Sequence, residues 1–193
     1  MTERMPTSET LTIRRFTPAD IGRAKNFADR AIGTDYYTEK ELIEILKRSE
    51  MNGEVCSLVL EDALGAIRGI RITYPPGHWS HGKGKGLTPA KWKVPLAESA
   101  YFQSLFVDPS LTGQGWGKRL SFEALRILRE LGAKAVVTHS WKESPNDSSG
   151  RYLRALGFEV VATHPLYWNE IDYVCTRCGK PCVCTADEMI KYL

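Results

Sequence analysis

The chain has 193 residues, 42% hydrophobic and 25% charged, a balance that suits one globular domain with its own core. A formal net charge of +3 is too small to argue for nucleic acid as the partner. The apolar runs are strand-sized, far short of the roughly 18–20 residues of a membrane span, and residues 1–10 form no apolar signal core. A cytoplasmic protein without membrane contact is expected.

Residues 1–10 read as a flexible tail. Leu11 to Phe16 alternates apolar and polar side chains and predicts a first strand. Thr17-Pro18-Ala19-Asp20 is a helix start, with a capping threonine, proline at the first helical position and an acid at the positive helix end. That helix should run to Ile32 and stop at Gly33. A second opens at Thr38 with Glu41 three residues on, a capping box, and buries Leu42, Ile45 and Leu46. Val55–Glu61 and Ile67–Tyr74 are β-rich runs joined by a link short enough for a hairpin.

From Pro75 to Ala97 the chain carries Lys83, Lys85, Lys91 and Lys93 with His78 and His81, and no acid. A loop this long in a small domain is often functional. Trp79 and Trp92 among these lysines suggest a surface that overhangs an anionic or aromatic ligand. Tyr101 to Val107 is almost continuously apolar and predicts a central strand. An amphipathic helix follows from Gly117 to Leu131, then a strand over Ala135–Ser140 and a short helix from Ser148 to Leu156, closed by Gly157. Phe158–Ala162 and Ile171–Val174 are read as the last strands. The order implies an α/β fold with a mixed, mostly antiparallel sheet and one parallel crossover.

Between the central strand and the long helix lies Thr112-Gly113-Gln114-Gly115-Trp116-Gly117, with Lys118 and Arg119 in the first helical turn. The first amides of a helix lack intrahelical partners and carry the positive end of its dipole. Glycines let that backbone approach a phosphate closely. A P-loop needs Gly-Lys followed by Ser or Thr, and here Arg119 follows Lys118. A dinucleotide fingerprint needs G-x-G-x-x-G, whereas this turn is G-x-G-x-G at mid-chain. Neither pattern is met.

The run Phe106-Val107-Asp108-Pro109 through Gly113-Gln114-Gly115-Trp116-Gly117, with Leu156-Gly157-Phe158 after a short helix, resembles the GNAT superfamily of N-acetyltransferases. The strand and helix order agrees from residue 11 to residue 174. Thr112 departs from the family pattern, which has Arg or Gln at that position. The resemblance implies that acetyl-CoA is the cosubstrate and that Leu105, Phe106 and Val107 hold its pantetheine arm. Residues Thr112 to Lys118 would bind the pyrophosphate, and Asn146 would touch the cofactor arm.

The acetyl group would pass directly to an amine of a small molecule or a protein, which needs a base and an acid. The family's acid, often a tyrosine, would fall at Leu153; Tyr152 stands one residue early. Tyr101, sharing a strand face with Gln103, and Glu98 just before that strand are the candidates for the base. His139 is a further option, though a lone strand histidine is more often structural. A non-catalytic acyl-CoA-binding protein, or an enzyme docked on a macromolecule through its basic loop, is the alternative, and homodimer formation stays open.

Four of the five cysteines, Cys175, Cys178, Cys182 and Cys184, fall within ten residues. Four thiolates at such spacing match a closed tetrahedral zinc site of structural type. Thiol redox chemistry and an iron–sulfur site use similar spacings. Residues 175–193 are therefore expected to form a small zinc-binding extension. Cys56, in an apolar run, reads as a small buried residue.

Overall fold

The structure is a computed structural model that describes residues 10–193, so the expected tail, save for Thr10, lies outside the described residues. The chain runs β1 (Thr12–Arg15), α1 (Ile21–Ala31), α2 (Glu39–Arg48), β2 (Glu50–Met51), β3 (Glu54–Val55), β4 (Leu58–Glu61) and β5 (Ile67–Tyr74). It continues through β6 (Ser99–Val107), α3 (Trp116–Glu130), β7 (Ala135–Trp141), α4 (Ser148–Ala155), β8 (Glu159–His164) and β9 (Ala186–Tyr192). Seven strands form one sheet in the order β1-β4-β5-β6-β7-β9-β8, and β2 and β3 form a separate small ribbon. Among the described residues only β6 and β7 pair in parallel; the other pairs of this sheet are antiparallel. The mixed α/β sheet expected from the element order is present.

The local signals act as physical chemistry demands. Thr38 accepts from the Glu41 amide while Glu41 accepts from the Thr38 amide, closing the box at the start of α2. Asp20 does different work from a helix-dipole acid. It is fully buried and receives Arg14 at 2.7 and 2.8 Å, Thr17 through amide and hydroxyl, and Arg23. Arg14 also holds Glu61 at 2.7 Å, so one guanidinium locks β1, β4 and the entry to α1 together.

The core has two layers, one on each face of the sheet. Phe27 and Leu42 of the first two helices pack with Ile70, Ile72 and Tyr101 on one face. Leu120, Ala124 and Leu128 of α3, with Leu153 of α4, pack on Leu58, Leu60 and Phe102 on the other.

The expected strand over Ile171–Val174 is absent; those residues lie in turns, and β9 at residues 186–192 takes the place instead, inserted between β7 and β8. Glu188 at its centre obscures the apolar pattern. It is fully buried because its carboxylate is satisfied internally. The cysteine segment is therefore a loop between two strands of the main sheet, not a terminal appendage.

Candidate active site

The site is made where the central strands part. In β6, Phe102 pairs with Thr73 and Ser104 with Ile72, leaving Gln103 as an extra residue, a β-bulge. The parallel pairing of β6 with β7 ends at Phe102–Thr138, the same level. Beyond it, Gln103 to Val107 run on beside β5 without β7, and their outward-facing polar backbone edge is open to a ligand.

The glycine turn lies at the end of this open edge. Gly113 and Gly115 have φ of 80° and 82°, left-handed values that favour glycine, and a Cβ at either would meet open space. Thr112, Gly113, Gln114 and Gly115 are exposed, with Lys118 and Arg119 beside them. Among the described residues the amides of Gly115, Trp116, Gly117 and Lys118 have no partner within the protein. They form a donor group at the positive end of a 15-residue helix. Gly117 faces β6, where a Cβ would press on Leu105.

Tyr152 on α4 donates to the Gly117 carbonyl at 2.9 Å and meets the Ser121 hydroxyl at 2.6 Å. It thus spans the gap between α4 and the first turns of α3. Burial raises its pKa, with Arg71 pulling the other way, so the hydroxyl is protonated at neutral pH. Leu153 points into the core instead. Asn146 is exposed, in a left-handed conformation just before α4.

On the opposite face of β6, a cavity of about 490 Å³ is lined by Tyr37, Tyr74, Gln103, Glu41, Glu44 and Lys83. Lys40 and Arg48 also reach it, so both charge signs are present. Lys83 rests over the rings of Tyr36 and Tyr37 at 4.9 and 4.8 Å, and burial lowers its pKa. Sequence reading had missed this wall, because its residues come from α2, two strands and a loop, and no local pattern joins them.

Two candidate bases do not fit. Glu98 lies at the closed end of the β6–β7 pair, ion-paired with Lys134 at 2.7 Å. Tyr101 is 3% exposed, stacked on Trp79, and its hydroxyl donates to His139 Nδ1 at 2.8 Å. Burial holds its pKa well above the ordinary value, which unfits it to accept a proton. Gly82 passes directly over this hydroxyl and that of Tyr167, closing them off.

The basic loop is likewise fastened rather than overhanging. Trp79 and Trp92 are buried anchors, not a ligand surface; their indoles donate to the Ser99 carbonyl and to Glu188, both at 2.6 Å. Glu188 also accepts from Thr88 and from His164 Nε2 at 2.7 Å. His139 Nε2 donates to the Gly86 carbonyl at 2.9 Å, leaving both of its ring nitrogens engaged. His139, His164 and Glu188 therefore form a loop-fastening network, although their ligand atoms cluster as metal ligands would.

The four clustered cysteines do converge. Cys175–Cys184, Cys178–Cys182 and Cys178–Cys184 Sγ distances are 3.8, 3.8 and 3.7 Å. Thiolates about 2.3 Å from a central zinc sit at tetrahedral edges of about 3.8 Å. The Val183 amide and Tyr173 hydroxyl donate to Cys178 and Cys182. Burial opposes ionisation of Cys175, but the amides of Cys178 and Arg177 outweigh it and bring the thiol down to about 6. Cys56 is apart, fully buried, with its thiol pushed up to about 12 by burial.

The strand pair that parts at a bulge, the glycine turn and the donor-bearing helix agree with the fold that the sequence's resemblance implies. The Acetyltransferase (GNAT) family matches residues 31–158, and the chain belongs to it. It is similar to a mycothiol acetyltransferase from Nocardiopsis dassonvillei, 33% identical over 92 residues. That match covers 47% of this chain and only 26% of the relative's length. In structure it is similar to a phosphinothricin acetyltransferase from Sinorhizobium meliloti solved with acetyl-CoA. The TM-score is 0.67 at 20% identity, covering 95% of this chain and 89% of that one. It is also similar to the ribosomal-protein-S18-alanine N-acetyltransferase of Escherichia coli, with a TM-score of 0.66 at 16% identity, covering 95% and 94%.

Proposed function

We infer that the chain is an N-acetyltransferase that moves an acetyl group from acetyl-CoA to an amine entering through the cavity beside Gln103. The observation that carries this reading is the unpartnered amide group from Gly115 to Lys118 at the end of the open β6 edge. The pyrophosphate binds there, on Thr112 through Lys118, with the helix dipole supplying attraction. The pantetheine amides pair with the backbone of Leu105, Phe106 and Val107 as an added strand would. Asn146 stands at the rim and steadies the arm. Thr112 supplies a hydroxyl where a longer side chain would reach the phosphate, so the backbone carries more of the binding.

In the transfer, the acceptor loses its extra proton to solvent in the open cavity, and the neutral amine nitrogen attacks the thioester carbon. The tetrahedral intermediate expels the thiolate, and the remaining excess proton on nitrogen leaves to solvent by the same route. Tyr152 is the acid assigned to the sulfur, since burial keeps it protonated and the resemblance puts the acid on this helix; to act, its hydroxyl exchanges the Gly117 carbonyl for the sulfur as acceptor. Glu41 and Glu44 attract the ammonium form of the acceptor, and Lys83 and Arg48 receive an acidic group on the same molecule. Relatives named for small-molecule and for protein acceptors make both classes candidates.

Zinc on Cys175, Cys178, Cys182 and Cys184 is the structural partner of this reading. It fixes the loop that leads into β9, and the Cys184 carbonyl in turn accepts from the Tyr167 amide. Tyr167 stacks on His139 at 4.3 Å, so the knuckle supports the floor of the basic loop. Thiol release from acetyl-CoA with a panel of amino acids, polyamines and N-terminal peptides tests the activity. Acceptor-dependent release supports it, whereas cofactor binding with no turnover across the panel favours a non-catalytic role.

A further inference from the structure

Arg71 is the one buried cation among the described residues. The half-buried Arg14 is paired with Asp20 and Glu61, but no acidic side chain among the described residues approaches Arg71, which is 3% exposed in the middle of β5. Its guanidinium lies 3.4 Å over the Phe102 ring, and its Nε and Nη2 have no hydrogen-bond partner. A buried unpaired charge with two idle donors is costly, and folds keep one where something else completes it. Burial brings this guanidinium down to about 9, with Tyr152 opposing the shift only in part.

The two idle donors are informative. Nε–H and Nη2–H lie along one edge of the guanidinium and point the same way, the fork that the two oxygens of a carboxylate fit. Arg71 pairs in register with Leu105, on the segment of β6 that the proposed function gives to the cofactor arm. Its side chain shares the α3 face of the sheet with Phe102 and is close enough to Tyr152 for its charge to oppose the rise in that hydroxyl's pKa. The acceptor cavity opens on the other face. Phe102, under the guanidinium, is the last β6 residue paired with β7, so the fork lies level with the point where the cleft opens, and an anion there comes from the acyl end of the cofactor.

We propose that Arg71 is a carboxylate-binding subsite that lets the chain take acyl-CoA donors whose acyl group ends in a carboxylate. This rests on the acyl-CoA reading of the cleft. The reaction is the same transfer: the N–C bond forms, the C–S bond breaks, and one proton leaves the amine while one reaches the sulfur. The distal carboxylate passes unchanged into the amide. Acetyl-CoA, on this account, binds but leaves the Arg71 fork idle.

Calorimetry of the full chain with acetyl-CoA, malonyl-CoA, succinyl-CoA and free CoA tests the proposal, each against wild type, Arg71→Met and Arg71→Lys. The expected result is that malonyl- or succinyl-CoA binds wild type about tenfold or more tightly than acetyl-CoA. That ratio should collapse in Arg71→Met and be only partly restored in Arg71→Lys, which keeps the charge and loses the fork. Equal affinities in wild type, or a preference that survives Arg71→Met, would overturn it. Free CoA binding more tightly than every acyl-CoA, in an Arg71-dependent way, would also overturn it and give the residue to the leaving thiolate. If no CoA species binds, the acyl-CoA reading itself fails; if acetyl-CoA binds without the preference, only this inference does.

Discussion

Tyr152 stands one residue from the position at which the resemblance expects the acid. The family resemblance puts the acid at Leu153, and one residue on a helix is about 100° of rotation. That rotation sends Leu153 into the core and turns Tyr152 toward α3, where its hydroxyl meets Gly117 and Ser121. Tyr152→Phe removes the proton and keeps the ring packing. It is expected to lower turnover by roughly 10²-fold or more while leaving the acetyl-CoA dissociation constant within about threefold. Steady-state kinetics beside calorimetry measures both, and full retained turnover would take Tyr152 out of the mechanism. Spacing on a helix is legible from sequence to within a residue, but the direction of one hydroxyl depends on the helix it faces. Glu98 and Tyr101 went astray for that kind of reason. Nothing local marks which end of β6 opens, or that Gly82 seals the Tyr101 hydroxyl from the cavity.

At the scale of elements, the strands and helices with a clean period were readable: α1 to α4, the β4–β5 hairpin and the central strand all lie within a few residues of their expected bounds. β9 was not, because its alternation is broken by Glu188, a charge satisfied by His164 and by donors about 100 residues away in sequence, Thr88 and Trp92. The basic loop was misjudged for the matching reason: its tryptophans look like surface until their buried partners are known. The cysteine loop between β8 and β9 makes a separate prediction. The purified chain should carry about one zinc, and Cys178→Ser or a strong chelator should remove it and lower the melting temperature. Because β9 pairs with β7 along its whole length, zinc loss should also speed hydrogen exchange in β9 and β8. A metal-free chain with unchanged melting would refute the zinc assignment.

For the whole molecule, the buried charges set how stability depends on pH. Burial lowers His139 to about 4 from an ordinary 6.5, so the unfolded chain takes up that proton first. Stability contributed by neutral His139 is thus complete above about pH 6.5 and is lost as the pH falls toward 4. Asp20 and Glu61 follow. Arg14 leads in holding Glu61 at about 2; for Asp20, burial pushes upward, but Arg14 and Thr17 outweigh it and hold it at about 2 as well. Their contribution is full above about pH 4 and is lost as the pH drops toward 2. Chemical denaturation between pH 7 and pH 3 should show a fall in stability beginning near 6.5, and His139→Gln should flatten that first fall. A flat profile down to pH 4 in the wild type would contradict the buried network. The fold as a whole serves one place, the gap where β6 leaves β7 at the glycine turn. Calorimetric titration of acetyl-CoA into the wild-type chain and into Gly115→Glu tests that claim most directly, because the new carboxylate would stand in the open space proposed for the pyrophosphate and would also strain a left-handed backbone. The account expects saturable one-to-one binding by the wild type and none by the variant, with circular dichroism reporting the variant folded. Equal affinity in the two would contradict it.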